Sequence, residues 1–221
     1  MRAMAATAAL LLAAVCAAAA AADLDLRVRY ESEAVDAAAV HKREQWQDRL
    51  IVREGHVWTQ RIIDARLPAH GGQEQHAHFD FALAAQHLRR GEKGELIAEY
   101  VDTRSRTVVF VPAAEYAAVG FDGSWEAAAA LLPPAVVKRM PVLVRTAPAG
   151  CSWREERRQG RYTRVLWDER GGYARRIETG REDGVERQLI VAEPMPAVAD
   201  AALPWRELAG YQHKEYDDFM D

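Results

Sequence analysis

Four short runs in the last third of the chain, separated by glycine-bearing turns, restrict the fold more than any other feature. Ser152 to Arg157, Tyr162 to Trp167, Tyr173 to Thr179 and Val185 to Ala192 are divided by Gly160, by Gly171-Gly172, and by Gly180 to Gly184. Strand starts roughly ten to twelve residues apart predict an antiparallel meander. Arginine and glutamate crowd one side of these runs, as a sheet covered on a single face requires.

The same period of two returns near the start. Leu24, Leu26, Val28 and Tyr30 alternate with Asp25, Arg27, Arg29 and Glu31, which marks a half-buried strand. A second run from about Arg43 to Val52 turns through Glu54-Gly55 into His56 to Ile63, a hairpin signal. Glu95 to Val101 and Thr107 to Val111 form another pair around Asp102-Thr103-Arg104-Ser105, and Pro112 ends it. Helices are expected between these sheets. Asp80 is placed to cap one in which Phe81, Ala84, Ala85 and Leu88 share a face, stopped by Gly91. Ser124 caps a second with Trp125, Ala128, Ala129 and Leu132 on one side, and Val136, Val137 and Met140 predict a third after Pro133-Pro134.

Residues 1–22 have the make-up of a cleavable secretory leader: Arg2, an alanine-rich apolar run, and Ala20-Ala21-Ala22 before Asp23. A periplasmic location follows, and no second apolar segment argues for a transmembrane protein. Val15 and Ala13 stand the wrong way round for Cys16 to be a lipid-attachment cysteine. With Cys16 removed, Cys151 is left alone, reads as a small hydrophobe facing a core, and no disulfide framework supports the fold. The formal net charge of -4 offers no basic excess for nucleic acid. The expected organisation is a single domain over 23–193 and a proline-containing acidic tail over 194–221 that docks on it.

The hairpin Tyr162-Thr163-Arg164-Val165-Leu166-Trp167-Asp168, then Gly171-Gly172-Tyr173-Ala174-Arg175-Arg176, then Val185-Glu186-Arg187-Gln188 resembles the lipoprotein-carrier superfold of the LolA and LolB carriers and the RseB/MucB regulators. Those families follow the glycine turn with a leucine-proline-leucine-arginine strand, and Tyr173-Ala174-Arg175 departs from it by lacking the proline. The likeness covers roughly the span 162–188 and is a pointer to fold. It implies an α+β domain: a strongly curved antiparallel sheet of about eight strands, a half-barrel, with a few short helices across its concave face.

Such a trough would engage a lipid acyl group or an apolar segment of an envelope protein, without enzymatic chemistry. Trp46, Trp58, Tyr100, Trp153, Leu166 and Trp167 would line it, with Phe81, Leu88, Trp125 and Leu132 as its lid. The same residues also suit a filled core. One alternative is a regulator similar to RseB/MucB that holds a membrane protein's periplasmic segment. Another is a metal-handling protein, because His76-Ala77-His78 in extended chain would place two imidazoles on one side, with His70, Glu74, Asp80 and His87 nearby. No HExxH or other metal signature accompanies them, and no cofactor motif is present. Ser124 lies outside any G-x-S-x-G elbow, which speaks against a hydrolase.

Overall fold

The computed structural model describes residues 23–35, 40–63 and 79–219. The leader at 1–22 and the His70, His76 and His78 metal candidates lie outside the described residues. Eleven strands form one sheet: β1 Leu24–Val35, β2 His41–Arg53, β3 His56–Arg61, β4 Ala85–Arg90, β5 Leu96–Asp102, β6 Thr107–Val111, β7 Cys151–Arg158, β8 Arg161–Asp168, β9 Tyr173–Arg181, β10 Glu186–Pro194 and β11 Gln212–Glu215. Their order is β11-β6-β5-β4-β3-β2-β1-β10-β9-β8-β7, so the sheet is unclosed. All neighbours are antiparallel except β11, which runs parallel to β6. Two short helices, α1 Trp125–Ala130 and α2 Pro134–Arg139, complete a sheet-dominated α+β fold, with 3-10 turns at Ala113–Val119 and along the C-terminal segment.

The expectation of about eight strands is therefore too low, and two misread segments explain most of the gap. The helix expected from Asp80 to Arg90 is a single turn followed by a strand. Asp80 Oδ1 accepts from the Ala82 and Leu83 amides and its carbonyl from Ala84, and the chain then pairs with β3 and β5. Ala85, His87 and Leu88 are all buried because both faces of this strand are covered. Burial on both sides erases the period of two, so four apolar residues spaced like a helix face misled the reading. The other strand, β11, was expected to be tail. Its side chains are mostly exposed and polar, so only the pairing with β6 makes it a strand.

The two faces are built differently. The helix face holds Leu26, Val28, Leu50, Val52, Leu88, Ala98, Val165, Trp167 and Ile177, under Ala129, Ala130, Val137 and Met140. Ser124 Oγ accepts from the Ala127 amide and so caps α1 as its position in sequence requires. Pro134 opens α2, where its missing N–H costs nothing. On the tail face, Ile51, Trp58, Ala85, Val101 and Val108 pack against Leu203 and Leu208. The C-terminal segment then passes round the β6 edge as β11, and Tyr216 and Phe219 pack beside Tyr100, Val109 and Val111 on the helix face. One stretch of chain thus clasps both sides of the sheet.

Buried polar groups tie that stretch down. Arg53 and Asp25, with side chains 10% and 5% exposed, pair at 2.6 Å. Arg53 also donates to the carbonyls of Leu24, Val52 and Val198, while Asp25 accepts from the Val198 amide. The ion pair therefore has its remaining hydrogen-bonding capacity met, which is the condition under which a buried pair is tolerated.

Candidate functional site

Alternation along each strand decides which of the aromatic candidates can meet. Trp46, Leu88, Tyr100 and Trp167 project to the helix face, where Phe81 packs on Tyr100 and Trp125 packs on the core. Trp58 and Trp153 project to the opposite face. Trp58 is opposite Ile51 in the ladder, and Trp153 is opposite Leu166 and stacked under the Arg145 guanidinium at 4.1 Å. The candidates therefore divide between two faces. Leu88, Tyr100 and Trp167 lie beneath other protein groups, at 0%, 3% and 5% exposure.

One end of the helix face stays open. Tyr30 and Trp46, cross-strand partners on β1 and β2, stack with centroids 5.1 Å apart at 12°. Both rings are only partly buried, and Tyr30 packs on the rim of the core together with Ile190, Leu131 and Leu132. The Arg61 guanidinium lies 5.1 Å from the Trp46 ring centre and bonds Asp48 at 2.7 Å. Burial raises the Asp48 carboxyl above its ordinary range, and Arg61 and Trp46 only partly offset it. Burial also pushes the Tyr30 phenol well up, with the Asp48 charge adding to the effect. The setting is thus a partly desolvated one, in which two stacked rings adjoin the Asp48–Arg61 ion pair.

A second cluster escaped the sequence reading. On the tail face, Glu99 Oε2 lies 2.9 Å from His87 Nδ1, and His87 Nε2 lies 3.0 Å from His56 Nδ1. Arg89 donates to the other Glu99 oxygen at 3.1 Å. Trp205 stacks over both imidazoles, 4.9 Å from His56 and 5.8 Å from His87. Burial alone would raise Glu99, but hydrogen bonds from His87 and Arg89 outweigh it and hold the carboxyl below its usual range. Desolvation, with the charges of His87 and Arg89, holds His56 below the ordinary imidazole value. The chain of three groups orients a pair of rings on which the C-terminal segment sits. Both ring nitrogens of His87 are thus engaged within this cluster. Among the described residues no group of three or more His, Cys, Asp or Glu is arranged to hold a metal. Only strand register could have revealed the cluster, since His56, His87 and Glu99 meet across three strands.

No family model matches the chain, and no curated protein matches it. In structure it is similar to PNGF-II in a C2 crystal form, with TM-score 0.39 and 11% identity over 90% of this chain and 32% of that one. The P21 form of PNGF-II gives TM-score 0.38 and 9% identity over 89% and 33%. The chain thus spans about a third of the length of the PNGF-II chains. It is also similar to a "putative outer membrane lipoprotein-sorting protein domain from Vibrio parahaemolyticus", with TM-score 0.33 and 8% identity over 84% and 91%.

Proposed function

We propose that this protein is a non-enzymatic binding protein of the periplasm, exported by its leader, that takes an acyl chain or an apolar segment of an envelope protein against the open end of its helix face. The observation that carries this reading is the Tyr30–Trp46 stack, which leaves apolar ring surface partly exposed at the rim of the core. Stacked aromatic planes give a rigid platform with little side-chain entropy left to lose on binding. Ile62 and Ile63, directly after Arg61 in the chain, are exposed as well. Among the described residues no helix is long and apolar enough to cross a membrane, a statement that leaves strands aside.

Native mass spectrometry of the chain purified from periplasm tests the proposal. A bound lipid lost on Trp46→Ala supports an acyl occupant, and a co-purified envelope protein lost on the same change supports a protein segment. An unliganded mass, with no brominated-detergent quenching of the fluorescence that Trp46 contributes, would remove the reading.

A further inference from the structure

The outer edge of β7 is the place where this sheet should be open to another strand, and the chain itself partly covers it. Residues 141–143 lie along β7: the Leu143 amide donates to the Trp153 carbonyl and the Glu155 amide to the Pro141 carbonyl, both at 2.9 Å, with Val142 bridged to Arg154. In an antiparallel pairing, residues 141 and 143 spend their backbone groups inward. Those of Val142 and Val144 then face away, and none of them makes a hydrogen bond among the described residues.

Three further features coincide there. Val142 and Val144 are 65% and 99% exposed, and Val136 on α2 is 36% exposed, so three large apolar side chains reach solvent within one short stretch. Such an edge is normally blunted by charge or proline, and here Pro141 and Arg145 only bracket it. The third feature is charge. No aspartate or glutamate occurs from residue 127 to 154, whereas Lys138, Arg139, Arg145 and Arg154 do, in a chain whose net charge is -4. Lys138 and Arg139 are exposed and make no ion pair among the described residues.

We infer that the 142–144 edge is a docking site for an extended, acidic segment of a partner protein, which adds as a strand beyond residues 141–143. The outward Val142 and Val144 backbone groups would supply the ladder, and the two valine side chains would supply apolar contact. Lys138 and Arg139 would select glutamate or aspartate on the incoming strand. Main-chain pairing of this kind gives affinity, while the flanking side chains choose among sequences. The inference is independent of the Tyr30–Trp46 stack, because that stack lies on the interior strands β1 and β2 and this edge lies at β7.

The test uses the whole chain and a capped, fluorescein-labelled peptide in which glutamate alternates with valine and threonine, followed by fluorescence anisotropy. Binding should weaken at least about tenfold on Val144→Pro, which deletes one outward donor. It should weaken similarly in the Lys138→Glu, Arg139→Glu double variant, and fail for the same peptide with lysine in place of glutamate. In the complex, exchange of the Val142 and Val144 amides should slow by about tenfold or more. Both variants alter exposed side chains, and unchanged circular dichroism confirms that each is folded. The inference is overturned if the acidic peptide does not bind, if the lysine peptide binds equally, or if the two amides stay unprotected. It is also overturned if sedimentation shows a dimer that Val144→Pro dissociates, since the occupant would then be a second copy of this chain.

Discussion

Trp46 and Trp58 form a matched pair for separating a platform from a core, because one ring is half open and the other is 1% exposed. Trp58→Ala removes a ring enclosed by the cluster of Ile51, Ala85, Val101, Leu203 and Leu208, and the backbone ladder on both sides prevents collapse of the space. A cost of about 3–5 kcal/mol is expected for such a truncation. Trp46→Ala loses the stack on Tyr30, worth about 0.5–1.5 kcal/mol, and the Arg61 contact, worth about 0.5–1 kcal/mol. The total, about 1–2.5 kcal/mol, is smaller than the first. Urea unfolding followed by far-ultraviolet circular dichroism reads both, with the slope checked for constancy so that midpoints can be compared. The same two proteins then go to native mass spectrometry. Trp46→Ala should abolish the bound species at modest cost in stability, and Trp58→Ala should keep it at large cost. Equal destabilisation by the two changes, or an occupant indifferent to Trp46, would refute the assignment of these rings to different tasks.

Arg53→Met should destabilise by about 3–5 kcal/mol in the same unfolding assay, because it strands the Asp25 carboxylate in a buried position. Ser124→Ala should cost about 1 kcal/mol by losing the α1 cap, measured as a shift in urea midpoint at constant slope. Acid should weaken the fold in two stages. The lowered His56 value means that the unfolded chain takes up that proton first as pH drops below about 6.5, so stability falls from near neutrality. Glu99 is also held low, so its contribution is complete above the ordinary carboxylate range and is lost as pH falls through its folded value. His56→Gln should flatten the upper stage and leave the lower one, as read by thermal unfolding across pH 2 to 8.

Much of the β architecture was legible in the sequence because polar and apolar residues alternate along many of its strands. Tyr162 to Trp167 and Tyr173 to Thr179 lie within β8 and β9, since Arg164, Arg176 and Glu178 alternate with Val165 and Ile177 in plain view. The failures have the opposite cause. β4 is covered on both faces and has no alternation to read, and β11 is too short and polar to announce itself. Ser124 and Pro134 marked their helices because capping is a local matter of one or two residues. Sites are different. Trp58 and Leu88 looked like members of one lining, yet their side chains leave the sheet in opposite directions, and only the pairing of β3 with β4 reveals it. His56, His87 and Glu99 needed the same knowledge.

The bond between β1 and β10 joins the start of the described chain to residues near its end, from Leu26 opposite Pro194 to Ala34 opposite Glu186. It sits inside the sheet, with β2 on one flank and β9 on the other, so the two halves of the molecule are welded by their most distant strands. A growing polypeptide cannot close that seam until residues 186–194 have been synthesised. Contacts so far apart along the backbone carry a heavy loop-closure cost and slow the approach to the native state. Closure of the sheet should therefore wait for β10, and a truncation before residue 186 should leave β1 without one of its two neighbours.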